Sequence, residues 1–541
     1  MSIWSTSRVT CAVAVAAVLA ASGVTPATAA SKPPPGGGLV VQTADGAVRG
    51  QAGDGVRTFE GIPYAAPPVG DLRFQPPAPA EAWTGVRDAT GFDPQTQCAQ
   101  LTRLGNLQTF GEDCLYLNVT APAGKSAKGL PVMVWVHGGS FVYGTGYSYD
   151  ASKLAAQGDV VVVTINYRLG PLGFLANPAL SAERPAAGSG DYALLDQQAA
   201  LRWVQENARA FGGNPNNVTL FGESAGAASV CANLVSPSAE GLFHRAIVQS
   251  FSCAQPYAPL AQAEQAGQAF AARVGCAGAA DVGACLRSVP SEQLLRAWTG
   301  GAFAVGGQNL PLQPAQAIAT DQYNSVKSVM HGNTRDENRL FAPLTYLQSG
   351  RAFPTTPAQY DAAVRAQYGA NADAVLAEYP LSDYPSAIVA LSTIATDRGS
   401  GLSTCEHVKG ANLLTDPPQA TKTFAYQFRD RTASPLISLI PAALGGDGAA
   451  HATELPFLFP GLFGAPLNAE QQQLSDAMVG YWTRFAKTGN PDTGSDLPRW
   501  KRYRQGSGVV LGLDLASAGG ITPVDVAAES NCAFWAKLGL V

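Results

Sequence analysis

The stretch Gly222-Glu223-Ser224-Ala225-Gly226 decides how the rest of this chain is interpreted. Residues 218–221 before it are apolar and β-prone, and residues 225–234 after it are small and compatible with a helix. A strand, a tight turn with glycines on both sides of a serine, and a helix form the context of a nucleophile elbow. Such a turn holds the serine hydroxyl out at the strand end. The pattern therefore predicts that Ser224 is a nucleophile.

Apolar, β-branched runs alternate with helical patterns on both sides of this turn. The further strand candidates are residues 132–136, 160–165, 246–249, 326–330 and 423–428, and the helix candidates are residues 192–211 and 473–488. This alternation predicts the α/β class, with a mostly parallel central sheet covered by helices on both faces. In such sheets the active site lies beyond the carboxyl ends of the strands. Because no composition break divides the chain, we expect one catalytic domain over residues 31–541.

The charge balance limits the kinds of partner. Charged residues make up 14% of the chain, the formal net charge is −5 and the isoelectric point is near 5.6. An acidic chain of this kind argues against a nucleic acid or an anionic membrane as partner. Nothing in the chain is basic enough to bind phosphate groups.

The first thirty residues have the features of an export signal. Arg8 precedes an apolar run over residues 10–21, and Ala27-Thr28-Ala29 offers small residues at a cleavage site. The apolar run is short for a membrane anchor, which is the alternative interpretation. We predict a signal peptide over residues 1–30 and secretion of the remainder.

Cysteine usage agrees with export. Of nine cysteines only Cys11 lies in the predicted signal peptide, which leaves an even number in the mature chain. An even number in a secreted chain predicts disulfides rather than free thiols. Two pairs, Cys98 with Cys114 and Cys276 with Cys285, are plausible from their closeness in sequence.

A serine nucleophile needs a neighbouring base, and the chain has only five histidines: His137, His244, His331, His407 and His451. In hydrolases with such an elbow the order along the chain is serine, acid, histidine. His451 leaves the most room for an acid after Ser224, and it follows a loop rich in glycine and alanine, residues 444–450. The order favours His451 as the base.

Three carboxylates compete for the role of the acid. Asp336 and Glu337 follow closely on the predicted strand 326–330, which we expect to end at His331 before a turn at Gly332-Asn333. Spacing does not separate these two neighbours, and Asp397 is a third possibility. The tetrahedral intermediate also needs hydrogen-bond donors for its oxyanion. The glycine turn after residues 132–136 and the N–H group after Ser224 are suited to supply them.

Several motifs resemble those of the type-B carboxylesterase/cholinesterase family of α/β-hydrolases. They include Phe59-Glu60-Gly61-Ile62-Pro63, Glu112-Asp113-Cys114-Leu115-Tyr116-Leu117-Asn118, Asn166-Tyr167-Arg168, Phe221-Gly222-Glu223-Ser224-Ala225-Gly226 and Thr488-Gly489-Asn490-Pro491. The likeness extends over nearly all of the mature chain. It implies an α/β-hydrolase fold and a serine esterase that needs neither a metal ion nor an organic cofactor.

The resemblance also implies roles for individual residues. The catalytic triad of the family corresponds to Ser224 as nucleophile, Glu337 as acid and His451 as base. Its oxyanion donors fall on Gly139, Ser140 and Ala225, with Ser140 in place of a usual glycine. Glu223 corresponds to a buried carboxylate behind the triad, and Ser250 is expected near the base. The resemblance supports the disulfides Cys98–Cys114 and Cys276–Cys285, and it suggests Cys405–Cys532, which leaves Cys231 with Cys253.

Two departures from the family pattern concern the substrate rather than the chemistry. Asp191-Tyr192-Ala193-Leu194 stands where the family shows a different motif, and Phe251 replaces a glycine after Ser250. The leading hypothesis is a secreted serine esterase that works through an acyl-enzyme. The alternatives are a catalytically silent binding or adhesion module on the same fold and a lipase gated by a lid.

Overall fold

The computed structural model describes residues 38–101, 109–124, 129–415, 421–464, 466–494 and 496–540. The predicted signal peptide, residues 1–30, lies outside them. The described residues belong to a single compact unit, Gly36–Val541. No helix in this part of the chain has both the length and the apolar character needed to cross a membrane.

The strands of the described residues, in chain order, are β1 (Val40–Gln42), β2 (Ala47–Arg49), β3 (Gln51–Gly53), β4 (Val56–Pro63), β5 (Val86–Asp88), β6 (Tyr116–Pro122), β7 (Leu130–Val136), β8 (Val161–Ile165), β9 (Gly213–Glu223), β10 (Arg245–Gln249), β11 (Ala258–Pro259), β12 (Ala304–Val305), β13 (Ser328–Thr334), β14 (Lys422–Phe428), β15 (Val509–Leu513) and β16 (Thr522–Asp525).

The α-helices of the same residues are α1 (Ser152–Gly158), α2 (Gly170–Phe174), α3 (Pro178–Ala182), α4 (Tyr192–Asn207), α5 (Ala225–Val235), α6 (Leu260–Arg273), α7 (Val282–Ser288), α8 (Ser291–Ala297), α9 (Pro314–Ala319), α10 (Asn338–Gln348), α11 (Pro357–Tyr368), α12 (Ala372–Glu378), α13 (Ala387–Asp397), α14 (Thr404–Thr415), α15 (Ala469–Thr488), α16 (Val526–Glu529) and α17 (Cys532–Lys537).

Eleven strands form the main sheet in the order β16-β15-β14-β13-β10-β9-β7-β8-β6-β4-β3. The strands from β15 to β8 in this order pair in parallel, and the pairings at the two edges are antiparallel. The predicted α/β class with a mostly parallel central sheet is confirmed. The strand that leads into Ser224, β9, lies near the middle of the sheet between β7 and β10.

Helices cover both faces of the sheet, as alternate residues of β7 demonstrate. Val134 and its neighbours two positions away pack into a core that includes apolar residues of α4 and α5. Met133 and Trp135 point the other way, into a second core that includes residues of α1 and α15. Successive side chains of a strand face opposite sides of a sheet, so a buried central strand is apolar throughout.

The sequence prediction for β13 was wrong in its bounds. The strand runs from Ser328 to Thr334, so it continues through His331, Gly332 and Asn333 instead of turning there. Gly332 pairs with Tyr426 of β14, and the Tyr426 ring occupies the place where a side chain at residue 332 would lie. Glycine here allows close packing across strands and does not mark a turn. The predicted helix 192–211 ends earlier as an α-helix, at Asn207, and continues as a 3₁₀ turn to Phe211.

The structure contains four disulfides, Cys98–Cys114, Cys231–Cys253, Cys276–Cys285 and Cys405–Cys532. These are the pairs that the resemblance implies. Cys405–Cys532 joins α14 to the final helix α17 over a sequence separation of 127 residues. It therefore attaches the end of the chain to the body of the fold.

Candidate active site

Ser224 lies on the turn between the central strand β9 and helix α5. Its backbone has φ +57° and ψ −122°, a strained conformation for a residue with a side chain. The flanking glycines are required by crowding, because a Cβ atom at Gly222 would lie 2.7 Å from the carbonyl oxygen of Val136, and one at Gly226 would overlap the same oxygen. The Ser224 N–H donates to the carbonyl of Gln249 on β10 at 2.9 Å. The elbow is thus fixed against both neighbouring strands.

The glycine turn after β7 lies directly beside this elbow. A Cβ atom at Gly138 would be 3.1 Å from the Cβ atom of Ser224 and 2.8 Å from Glu223 Oε2. Gly139 and Ser140 both have positive φ, +103° and +54°. Ala225 begins α5, and N–H groups in the first turn of a helix have no acceptor within that helix. The two segments expected to supply oxyanion donors are therefore neighbours at the Ser224 side chain.

His451 and Glu337 form the shortest contact of the site. His451 Nδ1 lies 2.6 Å from Glu337 Oε2, and the His451 N–H donates to the Glu337 carbonyl at 3.3 Å. The other carboxylate oxygen of Glu337 accepts the N–H of Thr334, the last residue of β13, at 2.8 Å. Both side chains are buried, and the Phe341 ring packs against the imidazole at 4.9 Å between centroids. The acid thus holds the imidazole in one orientation.

A second carboxylate faces the other nitrogen of this imidazole. His451 Nε2 lies 2.9 Å from Oε1 of Glu223, the residue directly before Ser224. Burial alone lowers the pKa of His451, but Glu223 and Glu337 outweigh it and raise that pKa well above its ordinary value. Among the described residues no hydrogen bond joins Nε2 to the Ser224 hydroxyl. The structure therefore brings the predicted base, His451, into contact with the predicted acid, Glu337, and Nε2 of the imidazole faces Glu223.

Glu454 is a third buried carboxylate of this site, and the sequence analysis did not identify it. Gln249 donates to it at 3.1 Å and accepts from the Trp482 indole at 3.0 Å. Burial, followed by the nearby charges of Glu223 and Glu337, raises the pKa of Glu454 to about 8. Glu454 is therefore largely uncharged at neutral pH. The available signal was its position three residues after His451, next to the apolar run 455–459.

Ser250 is buried one residue beyond Gln249, with φ +55° and its N–H bonded to the Gly332 carbonyl at 2.7 Å. Its hydroxyl has no hydrogen-bond partner among the described residues. No hydrogen bond therefore joins the Ser250 hydroxyl to His451 within this part of the chain. The Ser250 backbone joins the end of β10 to β13.

The two alternative acids are engaged elsewhere. Asp336 accepts two hydrogen bonds from Arg431 and one from the Ala449 N–H. Asp397 accepts from the Tyr379 hydroxyl at 2.8 Å, and burial raises its pKa to about 7. Glu337 is the carboxylate of the three that contacts His451.

The other four histidines lack a carboxylate partner within the described residues. His137 stacks on Tyr167 with centroids 4.5 Å apart, and His244 Nδ1 accepts the Val218 N–H. The rings of His331 and His407 face each other at 4.7 Å. Burial is the first cause that lowers the pKa of each of these four histidines. The described residues also contain no group of three or more histidine, cysteine or acidic side chains suited to hold a metal ion.

Comparison with known proteins agrees with this geometry. Residues 38–535 match the model of the carboxylesterase family. The chain is 38% identical to the fumonisin B1 esterase of Sphingopyxis macrogoltabida over 89% of this chain and 88% of that protein. It is 37% identical to the para-nitrobenzyl esterase of Bacillus subtilis (strain 168) over 88% and 94% of the two chains.

Comparison with solved structures indicates the same family. A structure of a PNB esterase superposes with a TM-score of 0.73 at 35% identity and covers 91% of this chain and 98% of its own. A thermophilic PNB esterase gives a TM-score of 0.73 at 34% identity over 92% and 99% of the two chains. The chain belongs to the carboxylesterase family: it has the α/β-hydrolase fold and is a carboxylic ester hydrolase.

Proposed function

We propose that this enzyme cleaves small-molecule carboxylic esters through a covalent acyl-enzyme on Ser224. His451 is the base and Glu337 is the acid that orients it. The single observation that supports this most strongly is the buried contact of 2.6 Å between His451 and Glu337, on segments that meet beside the Ser224 elbow. A serine hydroxyl becomes an effective nucleophile only when such a base removes its proton.

The reaction begins when the imidazole accepts the Ser224 proton and the serine oxygen attacks the ester carbonyl. His451 Nε2 faces Glu223, the residue next to Ser224, and the proposed step requires this nitrogen to turn from Glu223 to the serine hydroxyl. The imidazolium that forms is stabilised by Glu337 at Nδ1, and it then protonates the departing alcohol. Water attacks the acyl-enzyme with the same histidine as base. This releases the carboxylic acid product and restores the Ser224 hydroxyl.

The oxyanion of each tetrahedral intermediate is stabilised by the backbone N–H groups of Gly139, Ser140 and Ala225. The glycine turn and the start of α5 converge on the serine, which supports this assignment. Because the donors belong to the backbone, Ser140 serves as well as a glycine would. Removal of one such donor typically costs about 10²- to 10³-fold in turnover.

The electrostatics of His451 set the expected pH dependence. Only neutral imidazole accepts the serine proton, so activity falls as pH drops through the pKa of His451. Glu223 and Glu337 raise that pKa, so the acidic limb of kcat/KM lies above the ordinary histidine value of about 6.5. A rate that stays flat down to about pH 4 would contradict the role of His451.

The decisive experiment combines a fluorophosphonate label with peptide mapping and nitrophenyl esters of increasing acyl length. We expect the label on Ser224 and a loss of turnover of about 10⁶-fold in Ser224→Ala. Ser238→Ala, at an exposed serine beyond α5, is the control and should retain activity. Label elsewhere, or an active Ser224→Ala variant, would refute the proposal, and an inert wild-type protein would favour a silent binding module. A jump in rate above the solubility limit of a long-chain ester would instead favour a lipase.

We propose further that residues 1–30 are a signal peptide and that residues 31–541 are secreted as one catalytic domain. The four disulfides support this, because such bonds form in oxidising compartments. N-terminal sequencing of exported protein tests the proposal. A mature protein that begins at residue 1, or that stays in the cytoplasm, would overturn it.

A further inference from the structure

We propose that Asp336 and Arg431 are positioning residues for the base, which hold the loop of His451 at the distance from Glu337 that catalysis requires. Neither residue touches the reacting atoms in the proposed mechanism. The inference rests on the proposed function, since it concerns how the base is placed. It assigns a role to the acid next to Glu337 in the sequence and to an arginine that no sequence motif identifies.

The first evidence is a pair of reciprocal hydrogen bonds between the two segments that carry acid and base. The Asp336 N–H donates to the Ala449 carbonyl at 2.9 Å, and the Ala449 N–H donates to Asp336 Oδ2 at 3.0 Å. One residue further along, Glu337 receives the N–H and the imidazole of His451. The segments are thus joined at 336 with 449 and at 337 with 451. Movement at the first junction is transmitted to the second.

Two arginines fix the Asp336 carboxylate in this junction. Arg431 donates to both of its oxygens, each at 2.9 Å, which is the bidentate geometry that specifies orientation. Arg339 lies 3.4 Å from Oδ1 and donates to the carbonyls of Gly445 and Gly446. Burial by itself raises the pKa of Asp336, but the two arginines outweigh it and hold that pKa below its ordinary value. The carboxylate therefore remains charged across the working pH range of an esterase.

Asp447 ties the first part of this loop to residues 438–440 by accepting three hydrogen bonds, and the part that leads into His451 is held against Asp336. Residues 445–450 contain three glycines with positive φ, at positions 445, 446 and 448, and no α-helix or strand covers the loop. Glycine carries the largest backbone entropy, so its conformation must be imposed from outside. At Gly448 a Cβ atom would lie 2.6 Å from Asp336 Oδ2. The backbone consequently runs directly against the carboxylate that constrains it.

The test replaces Arg431 rather than Asp336 first, because the Arg431 side chain is 48% exposed and methionine still covers the surface under its aliphatic part. In Arg431→Met we expect kcat to fall by about tenfold with KM unchanged, since a small misplacement of a catalytic group has costs of this order. The acidic limb of kcat/KM should also move to lower pH, because a looser Glu337 contact raises the pKa of His451 less. Arg431→Lys, which keeps the charge without the bidentate geometry, should restore part of kcat.

Arg365→Met is the matched control, because Arg365 is 50% exposed and pairs with Asp361 and Asp373 rather than with a carboxylate next to Glu337. It should leave kcat and the pH limb unchanged at a similar cost in melting temperature. Asp336→Asn is the second variant and should lower kcat more than Arg431→Met. Wild-type kcat and pH limb in both Arg431→Met and Asp336→Asn would overturn the inference. Fluorophosphonate labelling of Ser224 in the wild type is scored separately, so that failure of the proposed function is distinguished from failure of this inference.

Discussion

Two buried histidine sites in this molecule have opposite electrostatics. His451 lies between two carboxylates, with Glu337 at 2.6 Å and Glu223 at 2.9 Å, and its pKa is raised well above the ordinary value. His331 and His407 face each other at 4.7 Å, and neither forms an ion pair with a carboxylate in the part of the chain that the structure describes. Burial lowers the pKa of His331 to about 4, and burial, followed by the charges of His331 and His451, lowers the pKa of His407 well below its ordinary value.

The difference between the two sites shows that burial alone does not enable a histidine to accept a proton. All three rings are withdrawn from water, and desolvation opposes the charged form of each. Only the carboxylates around His451 reverse the sign among these three rings, which supports the proposed transfer of the serine proton to His451. His407 has no hydrogen-bond partner for either ring nitrogen within the described residues, which makes it equivalent to an apolar ring.

The largest effect contrasts the two sites directly. We expect His451→Gln to lower kcat by about 10⁵- to 10⁶-fold, as for the loss of the base in a serine hydrolase. His407→Phe, which fills a similar volume, should keep kcat within about twofold because that ring makes no polar contact to lose. Steady-state kinetics with a nitrophenyl ester measure both. Comparable losses in the two variants would remove the functional distinction between the sites.

The second effect concerns the carboxylate that orients the base. Glu337→Gln keeps the shape of the side chain but removes its charge, and we expect a loss in kcat of about 10³- to 10⁴-fold. Asp397→Asn is the control, because Asp397 is buried and bonded to Tyr379 rather than to a histidine. If the two variants lost similar activity, the special role of Glu337 would be contradicted.

A smaller effect compares two buried carboxylates near His451, of which Glu223 contacts Nε2 and Glu454 contacts Gln249. Glu223→Gln removes a charge that raises the pKa of His451, so the acidic limb of kcat/KM should move to lower pH. Glu454→Gln should move it less, because Glu454 with a pKa of about 8 is already mostly uncharged at neutral pH. Full pH profiles of the wild type and both variants supply the measurement. An unchanged limb in Glu223→Gln would show that this contact does not control the base.

The smallest effect concerns acid stability. The pKa of His331 is about 4 in the folded protein and about 6.5 when unfolded, so the unfolded state binds more protons and stability is lost as pH falls from about 6.5 to about 4. His407 acts in the same direction. One such group costs at most about 1.4 kcal/mol per pH unit in that window. In His407→Phe, the drop in melting temperature between pH 7 and pH 5 should be smaller than in the wild type. An unchanged drop would contradict the prediction that burial of His407 reduces stability in acid.

The sequence alone predicted the strands and helices that have strong periodicity, and their order along the chain. The parallel strands β7 to β10 and the helices α4, α5 and α15 follow from apolar runs and from the glycines at the elbow. Where glycine had another cause, the sequence misled: Gly332 suggested a turn, but it lies within β13 because the Tyr426 ring packs against it. A local pattern does not reveal a neighbour on another strand.

The parts of the site that sequence reasoning missed are those defined by distant contacts. Glu454 and Gln249 meet across a separation of 205 residues, and Arg431 reaches Asp336 across 95. Spacing left the choice between Asp336 and Glu337 open for the same reason, since the two are adjacent and only the surroundings distinguish them, and the family resemblance decided it. Asp336 contacts Arg431 and Arg339, whereas Glu337 contacts the imidazole of His451.

The distance along the chain between Glu337 and His451 has a consequence for how this protein folds. The two residues are 114 positions apart, a similar stretch separates Glu337 from Ser224, and all three depend on the parallel pairing of central strands. Contacts of such high contact order form late and slowly. Recovery of esterase turnover after dilution from denaturant should therefore lag behind recovery of helical circular dichroism, so that enzyme activity reports the final long-range step of folding.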